Sequence, residues 1–183
     1  MTVDKRMVNL SFFTAGYLAY DLYVMHFYIK GSSALFYQSL FHHIISLMGI
    51  MAGSYTGYGA PGVGLICLMT EISTIFLNFR EMYSKDKLGD TVPSILQILF
   101  FILYTIFRMI GFPYGLYRLG LLGFYIWDKV GWFRQTCWGL TFTLYLVMMG
   151  LNIYWYFLIL KGVGKLLGII KPKKSHLKES LIN

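Results

Sequence analysis

The sequence predicts an all-α polytopic membrane protein, a helical bundle of about five transmembrane helices with a short interfacial or re-entrant segment. Two observations carry this. Of 183 residues, 57% are hydrophobic and 19% aromatic while only 13% are charged, and the mean hydropathy is +0.59. A soluble domain has about 45–50% apolar and about 25% charged residues, so a soluble globule is excluded, as are a disordered chain and a disulfide scaffold. At roughly 20 apolar residues per helix, the length accommodates about five spans with short loops. It leaves no room for a second folded domain. Residues 1–165 are read as the transmembrane domain and 166–183 as a basic tail.

Hydropathy places the spans at Met7–Ile29, Leu35–Ala52, Val63–Phe79, Ser94–Tyr117 and Thr136–Leu160. A Gly-rich link, Gly53–Gly64, separates the second span from the third, and the polar turn Met82–Asp90 precedes Pro93. Gly120–Phe133 is apolar but short and carries Asp128. It is expected to lie at the interface or to re-enter. The glycine pairs Gly49…Gly53 and Gly111…Gly115 fit close helix contacts.

The net charge is +8, and six lysines lie at or after Lys161. Such a cluster beyond the last span reads as an anionic-lipid anchor or a topology signal rather than a nucleic-acid surface. Lys30, Arg80, Lys85, Lys87 and the C-terminal lysines fall on one side, and Lys5, Arg6, Arg118, Lys129 and Arg134 on the other. The positive-inside rule then puts the C-terminus inside and the N-terminus outside. Cys67 and Cys137 both lie in apolar runs, so neither a disulfide framework nor a zinc site is indicated. With four histidines, the chain lacks the ligand set of a membrane di-iron enzyme, and no metal or cofactor is expected. No P-loop, nucleophile elbow or dinucleotide fingerprint occurs.

Polar residues inside the apolar runs recur at steps of three, four and seven, which puts each set on one helix face. They are Thr14, Tyr17, Asp21 and Tyr28; Ser39, His42, His43 and Ser46; Cys67, Glu71, Thr74 and Asn78; Gln97, Tyr104 and Arg108; and Thr141, Tyr145, Asn152 and Tyr156. A charge in hydrocarbon costs several kcal/mol, so these stripes are expected to face inward around one polar interior. At about 1.5 Å per residue, Asp21, His42 and Glu71 lie roughly 10–13 Å from the same boundary. Arg108 sits at roughly 21 Å but can reach back. Two readings stand: a lipid headgroup or acid–base site, or a buried ion-pair network that fixes helix register. His42 and His43, being adjacent, point about 100° apart and cannot both face one small ligand squarely. Arg108 is expected to be the counter-ion of Glu71 or Asp21. The expected cavity set is Asp21, Glu71, Asn78, Arg108, Tyr17, Tyr104 and Asn152.

Several of these residues also form a recognisable pattern. G-Y-x-x-x-D at Gly16, Tyr17 and Asp21, the pair His42-His43, E-I-S-T-I-F-L-N-F-R from Glu71 to Arg80, and Phe107-Arg108 together resemble the TLC domain. That domain is shared by ceramide synthases, TRAM translocation proteins and small lipid-linked membrane proteins, and the chain looks closest to the small members. The resemblance implies a helical bundle enclosing a membrane-embedded cavity. It also implies an internal membrane, the endoplasmic reticulum; the mitochondrial inner membrane is the other expectation, for a subunit of a complex. In ceramide synthases the matching His pair is catalytic in acyl transfer from acyl-CoA, which would give that role to His42 or His43. The synthases also carry a later segment with paired aspartates, where the third span here offers Glu71, Ser73 and Asn78. The expectation is therefore a protein that binds membrane lipids without catalysis, as an accessory component with protein partners in a larger membrane assembly. An acyl-CoA-dependent lipid N-acyltransferase is the alternative. The sequence starts close to G-Y-x-x-x-D, so the leading helix or helices of a longer family member are expected to be missing.

Overall fold

The computed structural model describes residues 5–29, 33–56, 60–83 and 91–170. These residues form five helices in sequence and no strand. Helix α1 is Lys5–Val24, continued by a π-helical turn over Met25–Ile29. Helices α2, Ala34–Thr56, and α3, Ala60–Met82, are each 23 residues long. Helix α4, Thr91–Lys129, is continuous over 39 residues, and α5 spans Trp132–Leu166. Both α4 and α5 are long and apolar enough to cross a membrane.

The stretch Gly120–Phe133 is not a separate element. Residues as far as Ile126 continue α4, Trp127–Lys129 form a tight 3-10 turn, and the chain breaks at Val130 and Gly131, both extended, before α5 begins at Trp132. Asp128 stands in this turn, outside the regular α-helix, so its charge does not interrupt the apolar run that precedes it. Similarly, the Gly-rich link is partly helical. Gly53–Thr56 belong to the end of α2 and residues 60–64 to the start of α3, while 57–59, like most of the turn Met82–Asp90, lie outside the described residues.

Helix α4 is widened at Thr105–Gly111 into a π-helical turn, where the Phe112 N–H bonds the Phe107 carbonyl five residues back. Pro113 explains the position. It has no N–H to give to the Met109 carbonyl four residues earlier, and its ring crowds that carbonyl, so the preceding turn opens. Arg108 is buried in this widened turn.

Helix α5 packs along α2, the first half of α4 packs on α3, and α1 lies against α2 and α3. The core joins Ile45 of α2, Phe112 and Leu119 of α4, and Tyr145 and Met148 of α5, with a smaller cluster of Ala15, Leu18 and Ile50. Gly123 and Trp138 bring the end of α4 against α5, where Trp138 Nε1–H donates to the Leu119 carbonyl at 3.1 Å. Gly115 permits another close approach, since a Cβ there would stand 2.7 Å from Tyr145 Oη and 3.3 Å from Ile66. At Gly49 a Cβ would meet Leu144 at an ordinary 3.9 Å. Large apolar and aromatic side chains, Phe13, Tyr28, Phe124 and Trp132 among them, cover the outside, the composition a bilayer accommodates and water does not. Gly168, with φ of +72°, ends α5, and the N–H groups of Ile169 and Ile170 turn back to the Gly164 carbonyl. Of the basic tail, 171–183 lie outside the described residues.

Candidate functional site: two histidine–carboxylate pairs and an apolar slot

Four helices deliver one polar cluster. Glu71 of α3 is its centre, with Oε1 3.6 Å from His42 Nε2 and 3.5 Å from Arg108 Nη2. Arg108 also donates from Nη2 to Thr74 Oγ1 at 3.2 Å and from Nη1 to Asn152 Oδ1 at 3.1 Å. Tyr104, one turn before Arg108, donates its hydroxyl to the Asn152 carbonyl at 3.0 Å, and its ring lies 5.2 Å under the guanidinium. Arg108 is 4% exposed and Asn152 1%. A guanidinium this deep needs such a set of partners, because each unmet polar group in hydrocarbon costs several kcal/mol.

The second histidine has its own carboxylate. His43 Nε2 lies 3.1 Å from Asp21 Oδ2 of α1. Adjacent positions on α2 thus diverge to two helices, His42 toward α3 and His43 toward α1, and the two rings stand edge to face at 5.3 Å. The His42 ring also packs at 5.4 Å against Trp155, whose indole N–H donates to Gln38 Oε1 at 2.9 Å. Neither Trp155 nor Gln38 stands out in the sequence. One is an aromatic among many and the other an isolated polar residue near a helix end.

Along α2 from this cluster runs a narrow cavity of about 50 Å³. Its α2 wall carries His42, Ser46, Gly49, Gly53 and Ser54, a rise of about 16 Å from His42 to Gly53 at helical spacing. Leu18 and Thr14 of α1, Glu71 of α3, Phe112 of α4, and Leu144, Met148 and Asn152 of α5 complete it. Three of the hydroxyls on its wall are spent on their own helices: Thr14 donates to Leu10 O, Ser54 to Ile50 O and Thr141 to Cys137 O. The slot is therefore apolar along its length and polar at the His42–Glu71–Asn152 end.

Asp21, His42, His43, Glu71, Arg108, Tyr104 and Asn152 are thus gathered in one place. Tyr17 and Asn78 are not. Both are exposed, and with Phe13, Leu68, Ile72, Thr74 and Ile75 they line an outward groove between α1 and α3. Glu71 borders slot and groove alike, so the seven-residue step to Asn78 follows the groove side of α3 rather than the interior. Tyr28 too faces outward, at 72% exposure. Among the described residues no group of three His, Cys, Asp or Glu side chains could hold a metal ion.

The family model of the TLC domain, the domain of TRAM, LAG1 and CLN8 proteins, matches residues 1–161. The chain belongs to the TLC-domain family. The match runs from α1 through all but the last turns of α5, so both histidine–carboxylate pairs and the slot lie within the TLC domain. No curated protein and no solved structure matches the chain. Family membership and the two long apolar helices fit an integral membrane protein.

Proposed function

We propose that this TLC-domain protein holds a membrane lipid, with an acyl chain in the slot between α1, α2, α3 and α5 and the polar head at the His42–Glu71–Asn152 end. The observation that carries this reading is the slot itself, a cavity of about 50 Å³, mostly apolar along its walls and polar at one end, whose walls must part further to admit a chain. Gly49, Gly53, Ser46 and Ser54 keep the α2 wall low, and Met148, with a flexible unbranched side chain, forms part of the opposite wall and can yield to a chain. The lipid-holding role is non-enzymatic, that of an accessory component in an assembly of an internal membrane, either the endoplasmic reticulum or the mitochondrial inner membrane. Support for a protein partner comes from the groove between α1 and α3. Asn78 and Tyr17 face out of the bundle there, and polar groups exposed to hydrocarbon are costly until a neighbour meets them.

The test is photocrosslinking. A clickable lipid with a diazirine near the middle of its chain should label peptides of α2 and α5 that line the slot, around Gly49, Leu144 and Met148. Labelling confined to the outer surface would sink the reading. The accessory role is checked on a native gel after mild extraction, where a large complex is expected and a lone 21.2 kDa chain in its detergent would contradict it.

Acyl transfer is the second reading, favoured by the pairing of each histidine with a carboxylate. His42 Nε2, facing Glu71 at 3.6 Å, is the nitrogen placed to carry the ring proton, which leaves the buried, unbonded Nδ1 as the lone pair. That nitrogen could take the proton of an acceptor amine attacking the thioester of acyl-CoA, with the coenzyme thiolate leaving. His42→Ala and His43→Ala decide it: a changed lipid profile in expressing cells supports transfer, and an unchanged profile in both excludes it.

A further inference from the structure

The slot's polar end has unused hydrogen-bonding capacity of a particular kind. His42 Nδ1 and Asn152 Nδ2 are both fully buried and neither has a hydrogen-bond partner. His42 is 6% exposed and Asn152 1%, and both residues line the slot. Of their other polar atoms, His42 Nε2 faces Glu71 Oε1 at 3.6 Å and Asn152 Oδ1 accepts from Arg108. What remains is one acceptor, the His42 lone pair, and a donor group, the Asn152 amide nitrogen with its two N–H bonds.

We infer that the head group recognised at this end is a neutral one that donates and accepts at once, a hydroxyl or a primary amide, rather than an anion or an ammonium. This rests on the lipid-holding reading above and names the class of lipid. A carboxylate or a dianionic phosphate only accepts, so it satisfies Asn152 but leaves the His42 lone pair facing a negative charge beside Glu71. An ammonium only donates, so it satisfies His42 but leaves the Asn152 N–H unmet. It would also bring a second cation toward Arg108, which already balances Glu71 at 3.5 Å. A hydroxyl meets both atoms and adds no charge to a cluster whose carboxylate and guanidinium already cancel. Leaving one buried polar atom unpaired weakens binding by about tenfold or more. Elsewhere on the slot wall the Thr14, Ser54 and Thr141 hydroxyls already donate to backbone carbonyls, so these three keep only acceptor capacity and offer no donor to a head group.

The experiment is a competition on the full chain in phosphatidylcholine nanodiscs. A photoreactive hexadecanol is the reporter, and hexadecanol, hexadecylamine and hexadecyl phosphate are the competitors, so only the head differs. Hexadecanol should displace the reporter at concentrations about tenfold or more below the other two. Asn152→Asp keeps the acceptor for Arg108 and replaces the donor by a second acceptor, so it should erase the alcohol's advantage over the amine. Saturable displacement by all three at equal concentration, or a ranking led by phosphate or amine, overturns the head-group inference and leaves the lipid-holding reading standing. No saturable labelling at all, the outcome if the slot takes only water, overturns both. The wild-type ranking decides the matter even where the Asn152 variant does not fold.

Discussion

Glu71 of α3 is shared: a single carboxylate oxygen stands 3.5 Å from the Arg108 guanidinium and 3.6 Å from the His42 ring. It is the only acidic side chain within reach of Arg108 among the described ion pairs. Glu71→Leu therefore strands a buried guanidinium with only the neutral acceptors Asn152 and Thr74. The expected loss is about 3 kcal/mol, read as a lower apparent Tm in detergent. Glu71→Leu with Arg108→Leu should recover part of that loss, because two apolar residues of similar volume need no pairing. A double variant no more stable than the worse single one would mean that the two groups are not coupled.

The outer pair should matter less. Asp21 keeps about a third of its side chain exposed, at 33%, against 17% for Glu71. Asp21→Asn is expected to cost under about 1 kcal/mol, a smaller fall in Tm than Glu71→Gln produces. The reverse order would place the stabilising charge pair at α1 rather than α3.

Asn152 has two roles at one position, accepting from Arg108 on Oδ1 and from Tyr104 on its carbonyl. Asn152→Leu removes only the first but leaves a charged donor unmet, for about 2–3 kcal/mol. Tyr104→Phe removes one neutral bond and should cost about 1 kcal/mol. Equal losses in the two variants would contradict the assignment of Arg108 as the main partner.

A Cβ at Gly123 would fall inside the Trp138 ring. Gly123→Ala should destabilise by about 1–3 kcal/mol through overpacking, and Trp138→Leu in the same chain should relieve most of that clash. At Gly16, where a Cβ would meet nothing within 4 Å, alanine should leave stability unchanged or raise it slightly. Equal sensitivity at Gly16 and Gly123 would show that the α4–α5 contact is not the reason.

Much of the cluster was legible because polar side chains are conspicuous in apolar runs. Periodicity brought Asp21, His42, Glu71 and Arg108 to inward faces, and the structure joins them. The greater depth of Arg108 resolves through side-chain direction. A helical side chain leans toward its own N-terminus, so Arg108 reaches back to the level of Tyr104 and Glu71. The two histidines do diverge, as adjacent positions must.

Other features left no trace in spacing. Which histidine pairs with which carboxylate depends on helix rotation, and the Trp155–Gln38 bond joins residues 117 positions apart. Tyr17 and Asn78 keep the helical period yet open onto the outer groove, since period fixes a face but not what covers it. Helix α4 runs past Tyr117 because the apolar residues after Gly120 sustain it, a continuity obscured in hydropathy by the glycines and Asp128. Its π-helical turn traces to Pro113, a local cause visible only once the helix is known to continue through it.

The central claim is that the slot holds a lipid, and native mass spectrometry of the gently extracted chain tests it most directly. Gly49 and Leu144 both line the slot, and a Cβ at 49 would already stand 3.9 Å from Leu144, so a phenyl ring there would crowd it. The wild-type protein should carry a lipid mass that survives desolvation, and Gly49→Phe, folded to the same Tm, should have lost it. A wild-type chain without bound lipid, or a Gly49→Phe variant that retains the same lipid, would contradict the account.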